Sequence, residues 1–323
     1  MMTAYLIRRL SQAILLLLVL SIAFFLLVHA LPGGPQAVLF SPRMTAETRA
    51  NLEHLYGLDQ SLPVQYLLWF KNVLGGNFGN SFSDGQLVTT EIAGRIPPTL
   101  ELFGAAMSFT LVLAVLLGVL SAVRKYSLMD YMVTVLAYFG ISMPVFWFAL
   151  ILQEFIGVQL HLLPTSGRET CSIYGCATPF DVFVDGAQHL LMPMFVLSLL
   201  FLAGWSRYLR ASMIEVLNQD YVRTARAKGL SPRTVIFRHA LRNALIPFVT
   251  QVAIDVGLIF GGAVVTETVF AWPGLGRLFY DALSHRDFPI LEALLLLGSA
   301  SVIFLNLFAD VLYSAIDPRI RYS

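Results

Sequence analysis

Roughly six stretches of this sequence stay apolar for about 20 residues each, the length a helix needs to cross a hydrocarbon core of about 30 Å. Inside a bilayer, every backbone N–H and C=O must find a partner within the protein. Apolar runs of that length meet the requirement as α-helices. The predicted spans cover residues 10–31, 99–123, 131–158, 187–205, 246–268 and 291–315. Charged residues make up 13% of the chain, against about 25% in an ordinary soluble domain. The sequence therefore predicts an all-α polytopic membrane protein with about six transmembrane helices.

Lysine and arginine set the orientation, because they concentrate in short loops on the cytoplasmic side. With the N-terminus inside, the inner segments hold Arg8, Arg9, Arg124, Lys125, the cluster from Arg207 to Arg242, Arg319 and Arg321. The outer segments then hold fewer: Arg43, Arg49, Lys71 and Arg95 in a long first segment, then Arg168, Arg277 and Arg286. This balance predicts cytoplasmic N and C termini. Arg8 and Arg9 ahead of an apolar run also allow a cleaved secretory signal. That run exceeds a typical h-region, and Leu31-Pro32-Gly33-Gly34-Pro35 is a poor small-residue cleavage site, so a retained anchor is expected.

The first outer segment, 32–98, mixes turn formers with short helical patterns at 46–56 and 63–73. It is too small to bury a core alone and is expected to cap the outer helix ends. The second, 159–186, carries Cys171 and Cys176, the only cysteines. In an oxidising space they can form a disulfide; the alternative is two free thiols.

Catalytic signatures are missing. The sequence has no G-x-x-x-x-G-K-[ST] to cradle nucleotide phosphates, no H-E-x-x-H and no G-x-S-x-G. Six scattered histidines give no basis for an intramembrane protease or a metal centre. Within the fifth span, Asp255 would be costly against lipid and must face protein or water. It is read either as a lining residue of a translocation path or as an interhelical hydrogen-bonding group. Gly257-x-x-x-Gly261-Gly262 would allow close helix approach.

The segment 220–250, DYVRTARAKGLSPRTVIFRHALRNALIPFVT, is polar and basic between two spans, with Asp220 its one acid. It reads as two short helices. Asp220 is expected to cap the first, with Tyr221, Ala225 and Lys228 on one face and Arg223 and Arg226 projecting elsewhere. Gly229 would end it in a left-handed conformation. Ser231-Pro232 would restart a helix through Val235, Ile236, Phe237, Leu241 and Leu245, entering the next span at Pro247. Such a pair could lie on anionic headgroups or dock on a cytoplasmic partner.

At these residues the sequence resembles the coupling loop of ABC importer permeases, whose general pattern is E-A-A-x3-G-x9-I-x-L-P. Arg223-Thr224-Ala225 stands at the first triplet and His239-Ala240-Leu241-Arg242 at the last four positions. Only Ala225, Gly229 and Leu241 match the general pattern, and the departures are those of the oligopeptide/dipeptide/nickel permeases. Tyr5-Leu6-Ile7-Arg8-Arg9-Leu10 and His29-Ala30-Leu31-Pro32-Gly33 resemble that subfamily's first span. Phe270-Ala271-Trp272-Pro273-Gly274-Leu275-Gly276-Arg277 and Asp317-Pro318-Arg319-Ile320-Arg321-Tyr322 resemble its C-terminal third, in the B-type subunit.

The resemblance implies a type-I ABC importer permease fold. Residues 1–94 would be the first helix and external segment, 95–316 the permease core with a cytoplasmic coupling loop at 206–245, and 317–323 a tail. It implies a subunit that forms half of the pathway and contains no cofactor; the subfamily's substrates are di- and oligopeptides, nickel complexes, glutathione and some oligosaccharides, of which di- or oligopeptides are expected here. ATP and Mg would bind to two partner ATPases. A C-type permease and an extracytoplasmic binding protein would complete the assembly in a prokaryotic inner membrane, with no role for nucleic acid. Asp220, Tyr221, Arg223, Thr224, Ala225, Arg226, Gly229, His239 and Arg242 would meet an ATPase. The rival is an ion-coupled secondary transporter, which calls for an internal repeat and an ion site; the sequence displays neither.

Overall fold

A computed structural model describes residues 2–30, 47, 57, 59–171, 175–176 and 178–316. The helical pattern at 46–56, the proline–glycine run from Pro32 to Pro35 and the motif 317–322 lie outside the described residues, apart from Glu47. The helices are α1 (Met2–His29), α2 (Leu62–Leu74), α3 (Val88–Val123), α4 (Leu128–Ser142), α5 (Val145–Leu152), α6 (Pro179–Leu217), α7 (Asp220–Ala227), α8 (Arg242–Val269), α9 (Leu275–His285) and α10 (Phe288–Ile316). Among the described residues the only β pairing is a single antiparallel bridge between Asn80 and Leu87.

Among the described residues, four helices are long and apolar enough to cross a membrane: Ile7–His29 of α1, α3, α6 and Phe288–Leu307 of α10. A fifth forms if the bent pair α4 and α5 counts as one span. Helix α8 contains the predicted fifth span, 246–268. Its Gly257, Gly261 and Gly262 have side-chain surroundings outside the described residues.

The span expected at 131–158 is not one straight helix. Its halves diverge by 102° at Met143-Pro144, where Met143 is extended at φ −83° and ψ 128°. Proline's ring excludes the preceding residue from the helical region and removes a backbone donor. After α5 the chain widens into a π-helical stretch, Gln153–Gln159.

The chain forms two compact units. The first holds α1, α2, the start of α3, α9 and the Phe288–Leu307 part of α10. Apolar side chains surround α1 and most remain exposed, as expected for a helix whose solvent is lipid. Among the described residues, α1 packs inward near its C-terminal end: Ser21 bonds to Tyr66 Oη at 2.9 Å and Phe25 meets the Tyr66 ring edge-on. Val28, Val88, Ile92, Leu278, Phe288 and Leu291 form this unit's core.

In the second unit α6 is the axis. Its 39 residues reach about 58 Å, far more than the roughly 30 Å of hydrocarbon. A reciprocal cap between Thr178 and Asp181 starts it. The predicted span, 187–205, is its apolar middle, and the stretch 206–217 continues past it. There Trp205, Leu209 and Met213 pack with Ala114 and Ala122 of α3 and with Ala240, Ala244 and Phe248. This core joins the far end of α6 to the start of α8.

Candidate coupling site

Helix α6 ends at Leu217, and a two-residue link leads into α7. The N-cap is Gln219, extended at φ −72° and ψ 150°, with no side-chain cap bond. Asp220, expected as the cap, instead opens the first turn. There its charge still complements the N-terminal end of the helix dipole. Its carboxylate lies 3.6 Å from Arg223 with both side chains largely in solvent, so the pair adds little stability.

Val222 and Ala225 are buried against Val235, with Val216 and Leu217 packed around them. Tyr221 and Lys228 are exposed. The spacing of three between Val222 and Ala225 places them on one side of the helix, which leaves Tyr221, Arg223, Thr224 and Arg226 facing out. Of the predicted contact residues on this helix, Ala225 is buried and Asp220, Tyr221, Arg223, Thr224 and Arg226 are exposed.

Gly229 has φ +77°, the left-handed region that residues with a Cβ adopt at a cost. Leu230 N donates to Ala225 O at 3.4 Å and Gly229 N donates to Arg226 O at 2.9 Å. This double closure is a Schellman turn. Ser231 then caps the next turn, Pro232–Thr234, accepting from Thr234 N with proline at the first position. The chain continues as a π-helical stretch, Val235–Leu241, directly into α8. Val235 and Ala240 are buried and His239 is half-buried, whereas Phe237 is 60% exposed and Arg242 lies on the surface. The wider π turn explains Phe237, since it shifts residues off the 3.6-residue face on which the sequence pattern relied. Pro247 falls inside α8 rather than at its start.

One group missed by the sequence reading fastens this region. Asp130, in the first turn of α4, receives two hydrogen bonds from Arg210 of α6, Nε to Oδ1 and Nη2 to Oδ2, both 2.7 Å. Ser121 of α3 and the Tyr126 amide also donate to it. The carboxylate is buried and its lone pairs are occupied, as a buried charge requires. Eighty positions separate the partners, so no local spacing exposes the pair.

Asp255 accepts from Trp205 Nε1 at 2.7 Å and from Gln251 Nε2 at 3.0 Å, so it makes an interhelical hydrogen bond. Cys171 and Cys176 are paired as a disulfide with Cα atoms 5.1 Å apart. Asp185 holds the same segment by accepting from the amides of Thr170 at 2.6 Å and Cys171 at 3.0 Å. Reducing the disulfide is therefore expected to lower the thermal midpoint in detergent less than Asp185→Ala does. The order of the two shifts in a melting experiment checks this.

The sequence matches the family described as "Binding-protein-dependent transport system inner membrane component" over residues 114–322. It matches the corresponding N-terminal family over residues 2–103. The oligopeptide transport system permease protein AppB of Bacillus subtilis is 42% identical over 99% of this chain and 100% of its own length. The dipeptide transport system permease protein DppB of Escherichia coli is 38% identical over 99% of both chains. The glutathione transport system permease protein GsiC of Salmonella paratyphi A is 39% identical over 99% of this chain and 100% of its own length.

Proposed function

Since this chain belongs to the family of binding-protein-dependent transport system inner membrane components, we propose that it is a peptide permease subunit of an ATP-driven importer. It forms half of a translocation path in a prokaryotic inner membrane, with both termini cytoplasmic. A C-type permease supplies the other half, two ATPases bind below, and a binding protein delivers di- or oligopeptides from outside. Full-length similarity to peptide permeases supports the peptide class, and similarity to a glutathione permease keeps the substrate short and peptidic.

The observation that carries the coupling role is the placement of α7. Val222 and Ala225 fix it to Val216 and Leu217 on α6 and to Val235 on the approach to α8. A push on its outer face is therefore delivered to two long helices at once. Nucleotide-driven closure of the ATPases would supply that push, and Asp255, between α6 and α8, would lie along the moving path.

Arg223 stands where the wider family has an acid, so the ATPase groove should offer carboxylates or carbonyl oxygens there. Arg223→Glu is expected to leave ATP hydrolysis running while peptide uptake falls at least about tenfold, the cost of about one charge-assisted hydrogen bond at that contact. Reconstituted uptake and hydrolysis, measured side by side, check it. Undiminished uptake would remove Arg223 from the contact.

A further inference from the structure

In the first unit, a cavity of about 210 Å³ lies between the C-terminal end of α1, α2 and the first turn of α10. Phe25, Trp69, Phe78, Phe82 and Phe288 give it aromatic wall, beside polar residues and glycines. Into this space faces the carboxylate of Glu292, whose side chain is 7% exposed. Its Oε1 is buried and, among the described residues, has no hydrogen-bond partner. His29 Nδ1 stands 3.7 Å away, yet it is engaged with the Phe25 carbonyl at 2.9 Å.

A buried carboxyl oxygen left unpaired is costly. A site that retains one among aromatic faces is suited to a cation. The ring faces attract positive charge, and the carboxylate accepts a hydrogen bond from it. Asn72 and Asn80 line the same space, and an amide side chain carries an acceptor as well as donors. A donor with several N–H groups on a small apolar body satisfies all of these at once, which an inorganic cation does not.

We propose that this cavity binds a primary ammonium group carried by a small molecule, such as the amino end of a short peptide. The choice of a peptide as the carrier rests on the permease reading above; the ammonium chemistry does not. An ethanolamine headgroup offers the same ammonium from the lipid side.

The test is calorimetric titration of the full chain in phosphatidylglycerol nanodiscs with alanyl-alanine and with N-acetyl-alanyl-alanine. Acetylation removes the charge and two donors, and is expected to weaken binding at least about tenfold. Glu292→Gln keeps the shape and should weaken the free dipeptide by a similar factor. If phosphatidylethanolamine nanodiscs suppress dipeptide binding, the ammonium site stands and the lipid is its occupant. Equal affinity for the two peptides overturns the proposal even if the variant misfolds. So does unchanged binding to Glu292→Gln, or the absence of binding in phosphatidylglycerol nanodiscs. Binding here needs neither ATP nor an ATPase, so failure of this test and failure of ATP-driven uptake are separate results.

Discussion

Gly229→Val is expected to abolish ATP-driven peptide uptake while leaving the chain in the membrane. At φ +77° glycine bears no strain, and among the described residues no atom beyond its two chain neighbours lies within 4 Å of where a Cβ would sit. The effect is therefore conformational rather than steric crowding. An ordinary L-residue in the left-handed region costs roughly 1–2 kcal/mol, and a β-branched one resists it more strongly. The turn that suffers closes α7 through Gly229 N and Leu230 N, and α7 is an eight-residue helix with little stability of its own. Losing the closure releases Val222 and Ala225 from Val235, so the outer face no longer sits at a fixed height beneath α6. Gly229→Ala should fall between valine and the unaltered chain, because alanine tolerates positive φ better than a branched residue. Uptake in proteoliposomes at matched protein levels checks the series. Full activity of the valine variant would remove the turn from the mechanism.

The second large effect is expected at Asp130. Asp130→Ala leaves the Arg210 guanidinium without its carboxylate and unties α3, α4 and α6 at one point. Removing one member of a buried ion pair costs about 3–5 kcal/mol. Arg210 is 26% exposed and regains some water, which places the loss near the lower end. The double change Asp130→Leu with Arg210→Met should recover most of the lost stability, because it leaves no uncompensated charge. Thermal unfolding in detergent separates these outcomes. A midpoint unchanged in Asp130→Ala would show that the pair contributes nothing.

Apolar length made much of this architecture legible beforehand. The runs at 10–31, 99–123, 187–205 and 291–315 are seen as α1, α3, α6 and α10 because such runs leave the backbone few alternatives. Hydropathy reports only the lipid-facing part, so it missed how far α6 continues beyond Trp205. Pro144 carried a signal for the break between α4 and α5, but the surrounding apolar run outweighed it. Helix punctuation in the coupling segment was readable at Gly229 and Ser231-Pro232, where one residue type dictates the backbone.

The inward face of α7 was harder, since an eight-residue helix gives barely two turns of periodicity and the π turn after Thr234 shifts the register. Asp130 with Arg210, and Glu292 facing the cavity, depend on residues far apart in sequence that only the fold brings together.

The most direct test of the central claim is site-specific photo-crosslinking from position 223 in membranes of the native host. The account predicts an adduct with an ATPase subunit, and its disappearance in the Gly229→Val background. Adducts only to lipid, or only to a second copy of this chain, would contradict it.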